Sequence, residues 1–398
     1  MTQTRLGFYE FFSGGGMARL GLGARWQALF ANDSCHKKAQ AYRANFPPAR
    51  ELVVKDIRAV TCEELPGEPT LAWASFPCQD LSLAGDRRGL NGHRSSTFWP
   101  FWDLMEGLSR KGKPVPIIVL ENVVGAITSN SGTDFEAILS AMVESGYQVG
   151  PLVVNSSWFV PQSRPRLFVV GCHNGIEIEP TLQRSSPCMT WHPTTLRIAH
   201  ERLPAHVVNG WVWWRLPIPR RRVKRLSEII EDSPKGVEWH SKAETRKILS
   251  LMSPQNIEKV RQVQLLPNRV VGTVYKRTRK DANGISRQRA EVRFDEMSGC
   301  LRTPVGGSSR QIIMIVEGDH IRTRLLSPRE AATLMGVPRS YKLPPNYNEA
   351  YHLMGDGLVV PVVSWLEEHL IHPLATGELS PQERGLGVRQ DYSLSLIA

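Results

Sequence analysis

The first 180 residues alternate short apolar runs with stretches of helical pattern, and this alternation limits the fold more than any other feature of the chain. Strands separated by helices form a mostly parallel sheet with helices on both faces, which is the doubly wound α/β class. The candidate strands are Gly7–Phe12, Ala28–Ala31, Leu52–Val54, Leu71–Ala74, Ile117–Leu120, Val149–Val154 and Leu167–Val170. After residue 180 the sequence becomes rich in Pro, Arg and Trp, which predicts a second, smaller and basic lobe.

The length of the chain also favours two lobes, because 398 residues are more than one compact core usually spans. The expected parts, in chain order, are a first lobe over 1–180, a second lobe over 181–320, a return to the first lobe over 321–372 and a loosely ordered tail over 373–398. The return is expected to contain a helix with Ser327 as its N-cap, Pro328 as its first residue and Glu330 as its third. A further helix is expected over Leu358–Leu370.

The charge balance favours a polyanionic partner. The 49 Lys and Arg residues exceed the 38 Asp and Glu residues, so the formal net charge is +11 and the pI about 9.5, as expected of a protein that neutralises phosphates. No run reaches the roughly 18 apolar residues of a membrane span, and the start does not resemble a secretory signal. We therefore expect a cytoplasmic or nucleoid location. The six cysteines form no CxxC pair, and Cys188 with His192 is too weak a ligand pattern to predict a metal.

Polar residues follow five successive candidate strands. In chain order they are the run Phe12-Ser13-Gly14-Gly15-Gly16, then Asp33, Asp56, the run Phe76-Pro77-Cys78-Gln79 and the pair Glu121-Asn122. Each has an ordinary structural explanation, such as a tight turn, a helix cap or a small buried side chain. Ligands of open α/β sheets bind at the carboxyl ends of the strands, so five such features together predict a functional site there.

The residue types indicate the chemistry of this site. A glycine turn followed by an acid at the next strand end, Asp33, is typical of a site that holds ribose hydroxyls. The spacing G-x-G-x-x-G is absent, which favours a nucleoside cofactor carrying a carboxylate, such as S-adenosylmethionine, over a dinucleotide. Cys78 follows Pro77 at a strand end, an exposed place that suits a nucleophile. Glu121 emerges from a buried strand, where burial raises the pKa of a carboxyl and lets it act as an acid near neutral pH.

These features resemble the ordered motifs of the DNA cytosine-5 methyltransferases, over roughly residues 6–172 and 322–366. The matching segments are FFSGGGMARLGL, FPCQDLS at 76–82, ENV at 121–123, PQSRPRLF at 161–168, RLLSPREAATLMGVP at 324–338 and YHLMGDGLVVPVV at 351–363. The chain departs from the family pattern at Met17, where a Gly is usual, and at Asp356, where an Asn is usual. The resemblance implies a Rossmann-like, S-adenosylmethionine-binding lobe with a target-recognition lobe inserted in it.

The resemblance also implies roles for individual residues. Cys78 would add to C6 of a flipped-out cytosine in double-stranded DNA, and Glu121 would supply a proton toward N3. Arg166 would contact O2 with the support of Arg164. In the cofactor site, Phe12 would lie against the adenosyl group, Asp33 at the ribose and Asp56 near the adenine amine. The other cofactor positions implied are Ser13, Gly14, Gly15, Gly16, Met17, Ser34, Ile57, Pro77 and Asp356.

The residues expected to contact DNA are Gln79, Ser82, Gln162, Arg293, Arg302, Gly306, Gly307 and Arg310. The family's recognition lobe presents a glycine-containing loop to the major groove, and Gly306-Gly307-Ser308-Ser309 is similar to such a loop. Arginine suits guanine because it can contact O6 and N7 together, so the three arginines are candidates for base readout. The cluster Arg220, Arg221, Arg222 and Lys224 is predicted to touch phosphates or to form an ordinary solvated surface.

Three other interpretations were weighed against this one. A transfer-RNA cytosine methyltransferase of the same motifs is expected to carry a Cys-Phe-Thr signature, which this chain lacks. A catalytically silent DNA-binding relative would not need Cys78, Glu121 and Arg166 intact. A Rossmann dehydrogenase is disfavoured because the phosphate fingerprint is missing. We expect a monomer whose partner is double-stranded DNA, and a separately encoded restriction endonuclease is compatible with this interpretation.

Overall fold

The computed structural model describes residues 5–77, 97–219, 224–280, 284–303 and 310–379. Within these residues the first lobe contains a seven-stranded sheet of order β3-β2-β1-β4-β5-β7-β6. Its strands are β1 Leu6–Phe11, β2 Trp26–Asp33, β3 Leu52–Val54, β4 Leu71–Ala74, β5 Ile117–Val123, β6 Tyr147–Asn155 and β7 Pro165–His173. All seven strands predicted from the sequence are present, and the predicted α/β class is confirmed.

The strand order places the candidate site at one edge of the sheet. Strands β1 to β5 run parallel to one another where they pair, and β1 has β2 on one side and β4 on the other. This reversal of strand order is the point where open α/β sheets bind ligands. Strand β7 runs antiparallel to both β5 and β6. The sequence analysis did not predict this direction, and it follows from the short β6–β7 connection, because a parallel pair needs a long crossover.

Helices cover both faces of this sheet, and others lie in the second lobe. Those in the described residues are α1 Met17–Leu22, α2 His36–Asn45, α3 Phe98–Arg110, α4 Thr133–Glu144, α5 Thr194–Glu201, α6 Ala205–Asn209, α7 Lys242–Ser250, α8 Pro254–Gln264, α9 Pro328–Leu334, α10 Tyr347–Asp356, α11 Val360–Leu366 and α12 His372–Thr376. None of these helices has the length and the apolar character needed to cross a lipid bilayer.

Two helices of the return segment test the sequence-based predictions directly. Helix α9 begins as predicted: the Ser327 hydroxyl accepts the Glu330 amide, and the Glu330 carboxylate accepts the Ser327 amide at 2.8 Å. The helix predicted over Leu358–Leu370 begins at Val360 and continues through a π-helical turn into α12. The predicted tail therefore starts too early, because residues 373 and 374 are buried in the core. The remainder of that tail, 380–398, lies outside the described residues.

The second lobe has an antiparallel sheet of its own. Its four strands have the order β11-β10-β12-β13, and a separate two-stranded sheet precedes it. The strands are β8 Gln183–Arg184, β9 Trp213–Trp214, β10 Val270–Lys280, β11 Ser286–Arg293, β12 Ile312–Glu317 and β13 His320–Leu325. Helices α7 and α8 pack on the four-stranded sheet around a small core that includes Ile248, Val260 and Val274.

The boundary of this second core differs from the predicted 181–320. Trp191, Trp214 and Leu226 belong to the core of the first lobe, because the chain runs along the edge strand β6 before it leaves the lobe. The Trp214 indole donates to the Gly150 carbonyl of β6 at 2.7 Å. The independent core therefore begins near α7, and it extends through β13 to residue 325. The sequence did not show this, because Trp-rich segments suit either lobe.

A buried ion pair joins the two lobes. Arg324 of β13 and Glu330 of α9 have no exposed side-chain surface, and their guanidinium and carboxylate groups meet at 2.6 and 2.8 Å. The same groups bind the backbone of Glu231, whose carbonyl accepts from Arg324 at 2.7 Å and whose amide donates to Glu330 at 2.8 Å. Each charge needs the other, because an unpaired buried charge costs several kcal/mol.

We predict that Glu330→Ala lowers the free energy of unfolding by about 3–5 kcal/mol, since it leaves the Arg324 charge buried without its counter-ion. The matched control is Glu368→Ala, because the Glu368 side chain is 56% exposed and its loss should change stability by no more than about 0.5 kcal/mol. Urea denaturation followed by tryptophan fluorescence measures both. Equal losses in the two variants would contradict the role assigned to the pair.

Candidate active site

The turn after β1 is built from residues in the left-handed region of backbone conformation. The φ angles are 57° at Phe12, 54° at Gly14 and 78° at Gly16. A Cβ atom on Gly16 would lie 2.4 Å from the Phe46 ring, so this glycine is required by packing as well as by its φ. A Cβ atom on Gly14 would meet nothing within 4 Å. The turn is therefore packed against the protein behind it and open at Gly14, where a ligand can approach the backbone.

Asp33, at the end of β2, fixes this turn. One carboxylate oxygen accepts the Gly14 amide at 2.8 Å and the other accepts the Cys35 amide at 2.7 Å. Asp33 is largely buried, and each of its oxygens keeps a further acceptor position. The structure thus places Asp33 beside the glycine turn, as the sequence analysis expected of a residue that holds ribose hydroxyls.

Glu10 is the penultimate residue of β1, just before the turn, and it was not among the residues predicted for the site. One carboxyl oxygen accepts the Ala18 amide at 3.2 Å, and the other is buried without a hydrogen-bond partner among the described residues. The Ser13 hydroxyl is likewise buried without a hydrogen-bond partner among the described residues. Burial raises the pKa of Glu10 to about 8, although the nearby Arg19 opposes the shift. The signal was available in the sequence, because Glu10 is the one acid in an otherwise apolar strand, LGFYEF.

The other predicted cofactor residues differ in their exposure and in whether they already bind a protein partner. Ile57 is buried and Ser34 is exposed beside Asp33. Asp56 is exposed, and both of its carboxylate oxygens are bound by the Arg58 guanidinium at 2.7 and 2.9 Å. Hydrogen bonds from Arg58 also lower the pKa of Asp56. Asp56 therefore has a protein partner already, and a cofactor amine would compete with Arg58 for it.

The two departures from the family pattern lie beside each other. The Met17 sulfur is so close to Gly357 that a Cβ atom on this glycine would lie 2.2 Å from it. Asp356, the preceding residue, pairs with the Lys38 ammonium at 2.8 Å and hydrogen bonds to the Thr303 hydroxyl. Met17 and Asp356 are thus parts of one local arrangement, in which the charge of Asp356 is neutralised by a nearby lysine.

Glu121 and Arg166 form an ion pair on neighbouring strands. Glu121 lies in the buried part of β5, and the antiparallel register places Arg166 of β7 opposite Val123. The Arg166 Nε and a Glu121 carboxylate oxygen are 3.1 Å apart, and their side chains are 16% and 11% exposed. Burial raises the pKa of Glu121, and the charges of Arg166 and Arg164 act in the opposite direction. A carboxyl with a raised pKa can hold a proton near neutrality, which a general acid requires.

Arg164 and Cys300 complete this cluster. The guanidinium of Arg164 is buried and donates to the carbonyls of Leu301, Gly355 and Gly357 at 2.8, 2.9 and 2.8 Å. The Cys300 sulfur lies 3.3 Å from Arg164 Nη1 and 3.8 Å from Arg166 Nη2. Burial tends to raise the pKa of the Cys300 thiol, but the two arginines outweigh it and the pKa lies below its ordinary value. No local sequence pattern pointed to Cys300, because this residue is far from both arginines in the chain.

The end of β4 brings the predicted nucleophile motif to the same place. Strand β4 pairs with β5, and the Asn122 side-chain amide donates to the Phe76 carbonyl at 3.1 Å. Pro77 follows and is exposed. The backbone that leads into Cys78 is therefore held next to Glu121. Cys78, Gln79 and Ser82 themselves lie outside the described residues.

The residues predicted to contact DNA fall into different environments. Gln162 is fully buried, and its amide donates to Leu334 O at 2.9 Å and accepts from Leu301 N at 3.0 Å. The predicted DNA contact of Gln162 does not fit this burial, because its amide already joins three segments of the protein. The loop glycines Gly306 and Gly307 lie outside the described residues, as do Arg220, Arg221 and Arg222.

Two of the three arginines proposed for base readout have partners within the protein. Arg293 forms an ion pair with Asp295. Arg310 hydrogen bonds to Asn348, and its guanidinium lies 5.3 Å from the centre of the Tyr347 ring. Arg302 is exposed. Base readout by Arg293 or Arg310 would have to replace these contacts, whereas Arg302 remains accessible.

Comparisons with known proteins agree on one family. The model of the C-5 cytosine-specific DNA methylase family matches residues 6–372. The chain is 26% identical to the Type II methyltransferase M.Bsp6I of Bacillus sp. (strain RFL6), over 87% of this chain and 91% of the relative. It is also 26% identical to M.HhaI of Haemophilus parahaemolyticus, over 91% and 93% of the two chains.

Solved structures show the same fold. The Dnmt2 methyltransferase of S. pombe superposes with a TM-score of 0.55 at 17% identity, covering 93% of this chain and 99% of that one. The methyltransferase EhMeth of Entamoeba histolytica superposes with a TM-score of 0.58 at 14% identity, covering 94% and 99%.

The raised pKa of Glu10 predicts how stability depends on pH. A carboxyl whose pKa is raised on folding from 4.5 to about 8 stabilises the fold fully below the lower value, and this contribution is lost as the pH rises through the higher one. Without ligand, the protein should therefore lose stability between pH 5 and 8, by up to about 1.4 kcal/mol per pH unit from this group.

The test compares Glu10→Gln with Glu68→Gln, an exposed carboxyl in the same lobe. Urea denaturation at pH 5, 6, 7 and 8 should show that Glu10→Gln flattens the pH dependence, whereas Glu68→Gln keeps the slope of the unmodified protein. Parallel curves for Glu10→Gln and the unmodified protein would contradict the raised pKa.

Proposed function

Because this chain belongs to the C-5 cytosine-specific DNA methylase family, we propose that it methylates C5 of a flipped-out cytosine within a specific double-stranded DNA sequence. The family uses S-adenosylmethionine as methyl donor. The observation that carries the proposal is the buried Glu121–Arg166 pair at 3.1 Å, beside the backbone that leads into Cys78. We further propose that the enzyme is a monomer in the cytoplasm and that its partner restriction endonuclease is encoded separately.

The residues around the glycine turn fit the cofactor. Glu10 and Ser13 each present a buried oxygen without a partner among the described residues, and buried polar groups of this kind normally have one. The ammonium and hydroxyl groups of S-adenosylmethionine are donors that could supply it. Asp33 retains acceptor positions, and Phe12 lies at the edge of the turn. When bound, the cofactor supplies a methyl group from a positively charged sulfur.

The cytosine ring needs activation before it can accept that group, because C5 is a poor nucleophile. In the proposed route the Cys78 thiolate forms a bond to C6, and the electron pair of the C5–C6 double bond becomes available at C5. A proton delivered toward N3 by Glu121 prevents negative charge from building up in the ring. After methylation a base removes the C5 proton, and the sulfur–C6 bond breaks to restore the ring.

In the proposed route Arg166 assists this step. Its Nε is bound to Glu121 and its Nη1 donates to the Pro165 carbonyl at 2.9 Å. A guanidinium has five N–H donors, so others remain for the cytosine O2. Arg164 would not contact the base and would instead hold the surrounding backbone in position, because its guanidinium donates to backbone carbonyls. The ring atoms C5 and C6 are inaccessible to these groups inside a duplex, so the target base must be flipped out.

The covalent step can be tested with a duplex that carries 5-fluorocytosine at the target position. Fluorine cannot leave as a cation, so the adduct with Cys78 should persist through denaturing electrophoresis when S-adenosylmethionine is present. Cys78→Ser should abolish both adduct and methylation. Cys188→Ser is the matched control, since Cys188 lies outside the site, and it should keep both. A Cys78→Ser variant with near-normal turnover would exclude the covalent route.

A second test separates the acid from the cofactor site. Glu121→Gln keeps the shape of the side chain but cannot release a proton in the same way, so turnover should fall by roughly two to four powers of ten while cofactor binding survives. Asp33→Ala should instead weaken cofactor binding by about 10- to 100-fold, the effect of lost hydrogen bonds to a charged group. Isothermal titration and single-turnover methylation measure the two. If both variants failed only in cofactor binding, the separate roles would be wrong.

A further inference from the structure

Strands β10 and β11 form a ribbon that extends beyond the sheet of the second lobe. They pair with each other from Thr273–Arg293 to Lys280–Ser286. The neighbouring strand β12 pairs with β10 only over residues 270–274. Among the described residues, the outer part of the β10–β11 pair therefore has no third strand beside it. A two-stranded antiparallel ribbon is narrow enough to enter the major groove of B-DNA.

The two faces of this ribbon differ in chemistry. Residues directly opposite in an antiparallel pair share a face, and so do residues two apart along one strand. One face carries Val274, Ala290 and Val292, which are buried in the core of the lobe. The opposite face carries the directly opposed Arg277 and Arg289. Arginines thus cover the face that points away from the core of the lobe.

The arginines on this face destabilise the strand pair in the free protein. Arg277 and Arg289 are like charges in directly opposed positions, which destabilise a strand pair, and Arg287 follows on the same face. All three residues are exposed. Glu291, on this face as well, lies 3.5 Å from Arg277 and offsets one of these charges. A polyanion on this face would reduce the repulsion between the opposed Arg277 and Arg289.

The same face leads directly to the catalytic cluster. Tyr275 lies two residues before Arg277, and its hydroxyl donates to the Cys300 carbonyl. The Cys300 sulfur is 3.8 Å from Arg166 Nη2, and Arg166 pairs with Glu121. The ribbon therefore starts at the place where the flipped cytosine would be held, and its arginines follow outward from there.

From this arrangement we propose that the β10–β11 ribbon enters the major groove beside the target cytosine and that Arg277, Arg289 and Arg287 read guanines there. This inference rests on the proposed function. Arginine contacts guanine O6 and N7 in a bidentate manner. Residues two apart on a strand are separated by about 6.6 Å, which corresponds to about two base pairs at 3.4 Å each. The opposed Arg277 and Arg289 would read the guanines nearest the target, and Arg287 a guanine about two base pairs farther out.

The experiment profiles methylation by the full chain on a pool of duplexes with randomised positions around one cytosine, at two salt concentrations. Each of Arg277→Ala, Arg287→Ala and Arg289→Ala should reduce the preference for guanine at one position by about 5- to 150-fold. The position affected by Arg287→Ala should lie farther from the target. The corresponding lysine variants should keep the salt dependence but relax the same positions, because lysine lacks the bidentate fork.

The matched control is Arg261→Ala, an arginine on α8 of the same lobe whose side chain is 71% exposed, and it should leave sequence preference unchanged. If the unmodified protein methylates duplexes but all three ribbon variants keep its preference, the ribbon does not read bases and the inference is overturned. The same holds if they lose affinity equally for every sequence, which is the behaviour of phosphate contacts. If the unmodified protein methylates no duplex, the proposed function fails as well, so the two failures are distinguishable.

Discussion

The buried guanidinium of Arg164 is the interaction on which the rest of the site depends. A charge removed from water must be paired or fully hydrogen bonded, because otherwise it costs several kcal/mol. Arg164 meets this need with backbone carbonyls of Leu301, at the edge of the second lobe, and of Gly355 and Gly357, at the end of α10. One side chain thus links strand β7, the second lobe and the return segment. Because Arg166 is only two residues farther along the chain, this anchoring also helps to hold its guanidinium against Glu121.

The charges around this point also balance one another. Arg164 and Arg166 are close enough to repel, and two groups reduce that repulsion: the Glu121 carboxylate on one side and the Cys300 sulfur on the other. Two opposing effects act on the protonation of Glu121. Burial favours the protonated carboxyl, whereas the arginines favour the ionised one. The net effect is a pKa of Glu121 above its ordinary value, which favours a carboxyl that can hold a proton, as a general acid must.

The sequence predicted those features that depend on neighbours in the chain. The strands and the Ser327 capping box follow from local pattern, and the structure confirms them. The direction of β7 and the start of the second core could not be predicted, because both depend on which segments pair after long separations. For the same reason Gln162 was expected at the DNA and is instead buried between segments that lie far apart in the sequence. Glu10 was visible as a charged residue in an apolar strand, but its significance depends on burial, which only the fold determines.

The end of α10 contacts both the glycine turn region and the second lobe. Arg164 binds the carbonyls on either side of Asp356, and the Asp356 carboxylate is held by Lys38 of α2 and by Thr303 of the second lobe. Met17, in the first turn of α1, packs against the next residue, Gly357. A carboxylate in place of the usual amide therefore does not stand alone, because a lysine neutralises it and a hydroxyl donates to it. The glycine turn, the second lobe and strand β7 meet at a single backbone segment, so a displacement of any one of them shifts the carbonyls that satisfy the buried charge of Arg164.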